Sequence, residues 1–278
     1  MKKLLLSAIA IAALFIIGCG GATVFDGPEI TKVVMDATSV TVTWAADTTV
    51  ENDGDFSGYN VYVATDSTEL LVEDGEDLNK DNATVITGNS YTIDGLSQDT
   101  VYYIQVRTVN VDDKVGSYNA TTPFVEASPR PEFTVTVKLE RNNSAPDDSC
   151  AIKFSDGTIM ADSAMANGGA DMWVDFWGTA PDDTTAFSSP DHHSTYGTNS
   201  RNTDFVNLGQ YDFDDVSEVT SEPSANYVAV IEGDLVIAKT QDGNYVKIHV
   251  DALDDTLNYT VTITYAYQNI ANYPHFSE

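Results

Sequence analysis

The sequence predicts an all-β chain built from two antiparallel domains. Three observations carry that prediction. Apolar and polar residues alternate in many short segments, as in Val40-Thr41-Val42-Thr43-Trp44 and Tyr259-Thr260-Val261-Thr262-Ile263. That is the period of a strand with one buried face. No stretch of useful length repeats apolar residues at the helical period. Two such series of strands are separated by Pro129 and Pro131, and 278 residues suit two domains of ordinary size.

The chain begins with Lys2 and Lys3, followed by an apolar and small-residue run from Leu4 to Ile17. A charged start, a short apolar stretch and a small residue at the cut site read as a secretory signal over residues 1–18. The run is shorter than the ~18 residues a spanning helix needs. Its ending, Ile16-Ile17-Gly18-Cys19, resembles the lipobox of bacterial lipoproteins. That resemblance implies lipidation of Cys19, which becomes the new N-terminus and ties the protein to a bacterial membrane. Gly20 and Gly21 follow the cysteine with no Asp beside it. In enterobacterial lipoproteins that arrangement favours the outer membrane or cell surface. Residues 19–27 are expected to be a short tether.

The formal charge is −30, from 43 acids against 13 bases. The acids are spread along the chain, so the surface stays soluble and repels nucleic acid and anionic membrane. Scarce lysine and abundant aspartate fit salt adaptation. With Cys19 lipidated, Cys150 has no partner for an intrachain disulfide, and a buried, inert thiol is the expectation.

Residues 28–128 are expected to form the first domain. Val40, Val42 and Trp44 mark one strand, Tyr59, Val61 and Val63 another, and Tyr91 and Ile93 lead into the Asp94-Gly95 turn. Tyr102, Ile104 and Val106 alternate with Tyr103, Gln105 and Arg107. Each strand thus offers one apolar face to a shared core. The set Ser39–Trp44, Gly58–Tyr62, Leu96–Tyr102 and Val106–Asn110 resembles a fibronectin type III domain. The resemblance implies that Trp44 is the core tryptophan. It also implies that the Tyr102 hydroxyl bonds nearby backbone at the corner where the chain crosses between sheets. Gln98 stands where that corner usually has proline. Such domains space and present their neighbours. The acidic insertion from Glu73 to Asn82 lacks EF-hand spacing and reads as a solvated loop.

Residues 129–132 are the expected linker, and 133–278 the second domain. Its strands are expected at Phe133–Leu139, Ala151–Phe154, Met172–Trp177, Tyr227–Ile231, Leu235–Thr240, Tyr245–Val250 and Tyr259–Gln268. Residues 178–202 read as one long polar loop, of the kind usually functional or mobile. Several pieces resemble the HmuY-like lipoproteins, an all-β family named for a haem-capturing member. They are Ala151–Gly157, Ala170–Phe176, Phe205, Tyr211–Val216, Asp242–Ile248 and Val261–Gln268. The resemblance implies that haem is a possible ligand. His192, His193, His249 and Met172 are the residues able to supply an axial bond. The acidic composition opposes haem propionates, because no basic pair lies nearby.

No HExxH, GxSxG, CxxC or phosphate-loop spacing occurs, so no catalytic residue and no metal site is assigned. Asp191-His192-His193 has metal-ligand residue types, but neighbours in an extended chain point opposite ways. Asp171 and Asp175 share a strand face, and solvent exposure explains that pair better than glycoside hydrolysis. Trp173 and Trp177 lie on the same face and either stack on a ligand or pack beneath the long loop. The sequence therefore points to a non-enzymatic, lipid-anchored protein that presents a ligand-binding β domain on a spacer. Its expected partners are the membrane and either a small molecule or a surface protein. The competing class is a structural or adhesive module with no small-molecule site.

Overall fold

A computed structural model describes residues 21–73, 75–140, 149–177 and 184–276. The signal segment and Cys19 lie outside the described residues. The chain is all-β, with a single four-residue helix, α1 (Thr48–Glu51), and five short 3₁₀ turns among the described residues. Strands β1 (Ile30–Met35), β2 (Ser39–Trp44), β3 (Phe56–Ala64), β4 (Ser90–Asp94), β5 (Tyr102–Asn110) and β6 (Val125–Ala127) make up the first half. They pair antiparallel in two sheets, β1-β2-β4 and β3-β5-β6. The inward residues of both sheets meet in one core of Val33, Val40, Val42, Trp44, Tyr59, Val61, Ile93, Ile104 and Val106. Trp44 meets Tyr59 edge to face at 5.3 Å. At the sheet corner the Ser97 amide donates to the Tyr102 hydroxyl at 3.0 Å. Gln98 compensates for the missing proline by donating from its side chain to the Ala37 carbonyl at 2.7 Å.

The polar face of β3 and β5 is not solvated, contrary to the alternation. Asn60, Tyr62, Gln105 and Arg107 are all buried. The insertion covers them: Leu70 packs on Tyr62, and the Asn82 side chain bonds both the Val61 amide and the Asn60 side chain. Arg107 supplies the polar closure. Its guanidinium donates to the carbonyls of Leu70 (2.9 Å), Val72 (2.7 Å) and Glu73 (3.2 Å). Gly75 is required at this contact, because a Cβ there would lie 2.6 Å from Val115 and 2.9 Å from the Arg107 guanidinium. Within the insertion Gly75 and Asn82 make the buried contact, while Glu73, Glu76, Asp77 and Asp81 are exposed as a solvated loop would have them, with Glu76 paired to Lys114 at 2.6 Å.

The expected tether is also docked from Ala22 onward. The Ala22 and Thr23 amides donate to Asp112 and Asp55, and Asn110 donates back to the Ala22 carbonyl. The Gly27 amide reaches Ser117 at 2.7 Å. A side chain at Gly27 would meet the Val106 carbonyl at 2.5 Å, so the close approach needs glycine.

The second half holds β7 (Glu132–Lys138), β8 (Ala151–Lys153), β9 (Thr158–Met160), β10 (Met172–Trp177), β11 (Thr184–Ser188), β12 (Thr203–Gln210), β13 (Tyr227–Ala229), β14 (Asp234–Thr240), β15 (Tyr245–Asp254) and β16 (Thr260–Tyr267). They form two five-stranded antiparallel sheets, β12-β14-β15-β16-β7 and β13-β11-β10-β8-β9. Between them lies a core that includes Ile152, Phe154, Met172, Val174, Phe187, Phe205, Ile248, Val261, Ile263 and Tyr265. The segment read as one loop contains β11, and β12 follows it directly. Thr184-Thr185-Ala186-Phe187-Ser188 offers too few apolar residues to announce a strand, yet Phe187 sits in the core.

Tyr245 and Lys247 are buried beneath residues 213–219 and Phe276. The Lys247 ammonium donates to the Val216 carbonyl at 2.9 Å and lies 4.2 Å from the centre of the Phe213 ring. Burial lowers its pKa to about 8. The linker is buried too. Arg130 donates to the Phe276 carbonyl and to Glu132, both at 2.6 Å, while its amide bonds the Asp36 carbonyl. The prolines therefore cross a packed joint between the halves.

Candidate functional site

The site lies on the outer face of β13-β11-β10-β8-β9. Register places Trp173, Ser188 and Tyr227 side by side across β10, β11 and β13, so all three project from the same face. Asp175 lies two residues along β10 on that face. His192 comes from the 3₁₀ turn Pro190–His192 that follows β11. Together they line a cleft of about 290 Å³. Tyr227 is 52% exposed at the rim, whereas Trp173 is 5% exposed and forms the wall.

Each wall residue is fixed locally. The Trp173 indole donates to the Ser189 carbonyl at 3.1 Å and meets the His193 ring edge to face at 4.7 Å. Ala151, Met165, Ala170 and Tyr196 pack around it. Asn226 bonds His192 Nε2 through its side-chain amide. Asp171, on the same face as Trp173, is closed off: it accepts from the Phe154 amide at 3.0 Å and from Arg201 at 2.6 Å. The face expected to be solvated is therefore covered over Asp171 and Trp173 and, among its described residues, opens at Asp175.

Beneath the cleft lies a buried polar group that the sequence did not announce. His193 turns inward and its Nε2 lies 3.0 and 3.2 Å from the two Glu140 oxygens. Asp162 joins them, with ligand-type atoms of all three residues within 4.8 Å of one another. These are the described residues best placed to hold a metal ion. The ring's other nitrogen decides what they do. His193 Nδ1 accepts from the Thr195 and Tyr196 amides at 3.1 and 3.0 Å, so the ring proton sits on Nε2 and is donated to Glu140. A metal at Nε2 would have to displace that proton and leave the ring without one. The geometry is that of a His–Glu bond tying the loop after β11 to the end of β7. Cys150 is buried beside it, 3.9 Å from Glu140.

Asp175 differs from these acids. Burial, and then the neighbouring Glu140 charge, raise its pKa to about 6. No described ion pair includes it.

The four residues offered as haem ligands do not converge. Met172 is in the core with no exposed surface, and His193 is committed at both nitrogens. His249 lies on β15, in the opposite sheet, with Asp251 at 2.6 Å. Only His192 reaches the cleft. Of the two tryptophans, Trp173 forms the wall, and Trp177 closes β10 with its side chain outside the described part. Glu140, Ser188 and Tyr227 were missed as site residues, because no local spacing links residues brought together by sheet register. A larger cleft of about 410 Å³ lies in the first half between residues 25–29 and α1. It is a seam where the N-terminal segment docks, and its Tyr59 hydroxyl is already bonded to Glu51.

Residues 28–123 match the family Fibronectin type III domain. Among solved structures, the chain is similar to a Fn3-like protein from Clostridium thermocellum, at 23% identity over 40% of this chain and 95% of that one, with a TM-score of 0.26. It is also similar to the 6th fibronectin type III domain from human fibronectin type III domain containing protein 3, at 19% identity over 45% and 96%, with a TM-score of 0.28. No curated protein matches the chain. The strand pairing, the Trp44 core and the Tyr102 corner agree with the family match, and residues 28–123 of this chain are a fibronectin type III domain.

Proposed function

We propose that this is a non-enzymatic presentation protein, in which the fibronectin type III domain is the support and the β10–β11–β13 cleft of the second half is the ligand site. The observation that carries the reading is the contrast within one sheet face. Asp171, Trp173 and His193 are locked by internal bonds, while Asp175, Ser188 and Tyr227 line an open cleft. A binding role follows better than catalysis, because both nitrogens of the buried histidine are committed and cannot relay a proton. The lipobox-like Ile16–Cys19 supports attachment to a bacterial membrane through Cys19. Docking of the chain from Ala22 onward leaves only a few residues between that lipid and the folded domain, so the support would stand close to the membrane. The resemblance of the second half to HmuY-like lipoproteins fits a ligand-capturing role, with the cleft rather than the dispersed histidines as the place of capture.

The test has two arms. Metabolic labelling with a fatty acid should mark the wild-type chain and not Cys19→Ala; a labelled variant would remove the anchor. A small-molecule screen by thermal shift on the full chain should give ligands whose effect is lost in Tyr227→Ala with Asp175→Asn. Ligands that act equally on that variant would remove the cleft as the site and leave an adhesive module as the better reading.

A further inference from the structure

We propose that the cleft takes a small organic cation, with the ligand's ammonium group against the Asp175 carboxylate and its carbon substituents against Trp173 and Tyr227. This rests on the reading of the cleft as the ligand site and names the class of ligand.

Four features of the site select that class. Among the described cleft residues Asp175 is the one acid, and there is no lysine or arginine. An anionic ligand would meet that carboxylate. His193 directs its Nε2 at Glu140 and is committed there. Glu140 lies directly beneath, bridged through the backbone to Asp175 at the end of β7, and adds negative field to the cleft floor. The walls suit a cation as well. Trp173 is held by its indole bond and by the His193 ring, and Tyr227 flanks the opening. Aromatic faces attract ammonium groups through the ring quadrupole, most strongly when the cation is partly desolvated.

Two further observations agree. The carboxyl of Asp175 titrates near 6 because it is half-buried and faces the Glu140 charge. A bound cation would remove both penalties at once. The whole chain carries −30, which raises the local concentration of cations and repels anions. The volume of about 290 Å³ suits a small ligand, at the lower end of the usual pocket range. Ser188 lies in the row between the two aromatics.

The experiment is calorimetric titration of the full chain with choline and with 3,3-dimethyl-1-butanol, which has the same shape without the charge. Glucose serves as a neutral polyol. Choline is expected to bind, with the neutral isostere weaker by about tenfold or more. Asp175→Asn should cost choline a similar factor, while Asp171→Asn, whose residue is closed off by Arg201, should leave binding unchanged. Circular dichroism on each variant separates loss of binding from loss of fold. Equal binding of choline and its isostere, or full retention in Asp175→Asn, would overturn the cation and leave the cleft as a site. Binding of glucose alone would do the same. If none of the three binds, both the ligand class and the cleft as ligand site fall.

Discussion

The two halves solve one problem in opposite ways. Each has a sheet face carrying polar residues that is covered rather than left in water. In the first half, Arg107 spends its guanidinium on backbone carbonyls of the covering insertion. Those acceptors do not titrate and cannot leave, so the cover is a fixed part of the support. In the second half the cover is held by ionisable pairs: His193 on Glu140 and Arg201 on Asp171. These pairs close most of the face and leave Asp175 at its open edge, in no ion pair among the described residues. Burying polar groups against backbone gives rigidity alone. Burying them against one another leaves a residue of charge, and charge in a cleft is what a ligand can use.

That contrast can be broken at several points, and the largest effect is expected in the second half. His193→Ala should cost about 3–5 kcal/mol, because it leaves the Glu140 carboxylate buried without its donor. Urea unfolding of the full chain would measure it. A loss below ~1 kcal/mol would mean that Glu140 is stabilised by other means. Arg107→Ala should cost about 3 kcal/mol, since a fully buried side chain and its bonds to the Leu70, Val72 and Glu73 carbonyls are lost together. Because those acceptors do not ionise, this loss should be the same at pH 6 and pH 8.

Asp175 should behave in the reverse direction. Its folded-state pKa of about 6 lies above the ordinary carboxylate value, so the ionised form disfavours the folded state. The penalty is absent below the unfolded pKa of about 4, grows up to about 6, and is complete above that. Asp175→Asn should therefore stabilise the chain at pH 7–8 by about 1 kcal/mol, a figure reduced for its partial exposure to solvent, and by nothing near pH 4. Thermal midpoints across that range would show the two curves converging on acidification. Destabilisation by Asp175→Asn at neutral pH would indicate that Asp175 is a structural acid rather than a site acid. The smallest effect belongs to the corner of the support. Tyr102→Phe removes one bond to the Ser97 amide and should cost about 1 kcal/mol.

Much of the support was legible in the sequence. Trp44, the Leu96–Tyr102 corner and the alternation of β2 and β5 each announce themselves within a few residues, because strand period and corner chemistry are local. The cover was not legible. Nothing in Tyr103, Gln105 and Arg107 says that their face is dry, since that depends on an insertion tens of residues away folding back over it. The second half follows the same division. Val261, Ile263, Tyr265 and Tyr267 predicted β16 with the correct inward face. Asp171, Trp173 and Asp175 were correctly placed on one face of β10, but which of them is sealed depends on Arg201, Ser189 and Glu140. The buried His193 illustrates the limit most plainly. Opposite directions for adjacent histidines follow from an extended chain, but nothing local says that His193 is the one that turns inward to Glu140.

If the cleft is the ligand site, the fibronectin type III domain should not respond to ligand and the cleft should. Amide hydrogen exchange on the full chain, with and without saturating choline, tests that division most directly. The expected result is slowed exchange in residues 173–175, 186–192 and 226–229, with residues 28–123 unchanged. Slowed exchange centred in residues 28–123, or none anywhere while choline is shown to bind, would contradict it.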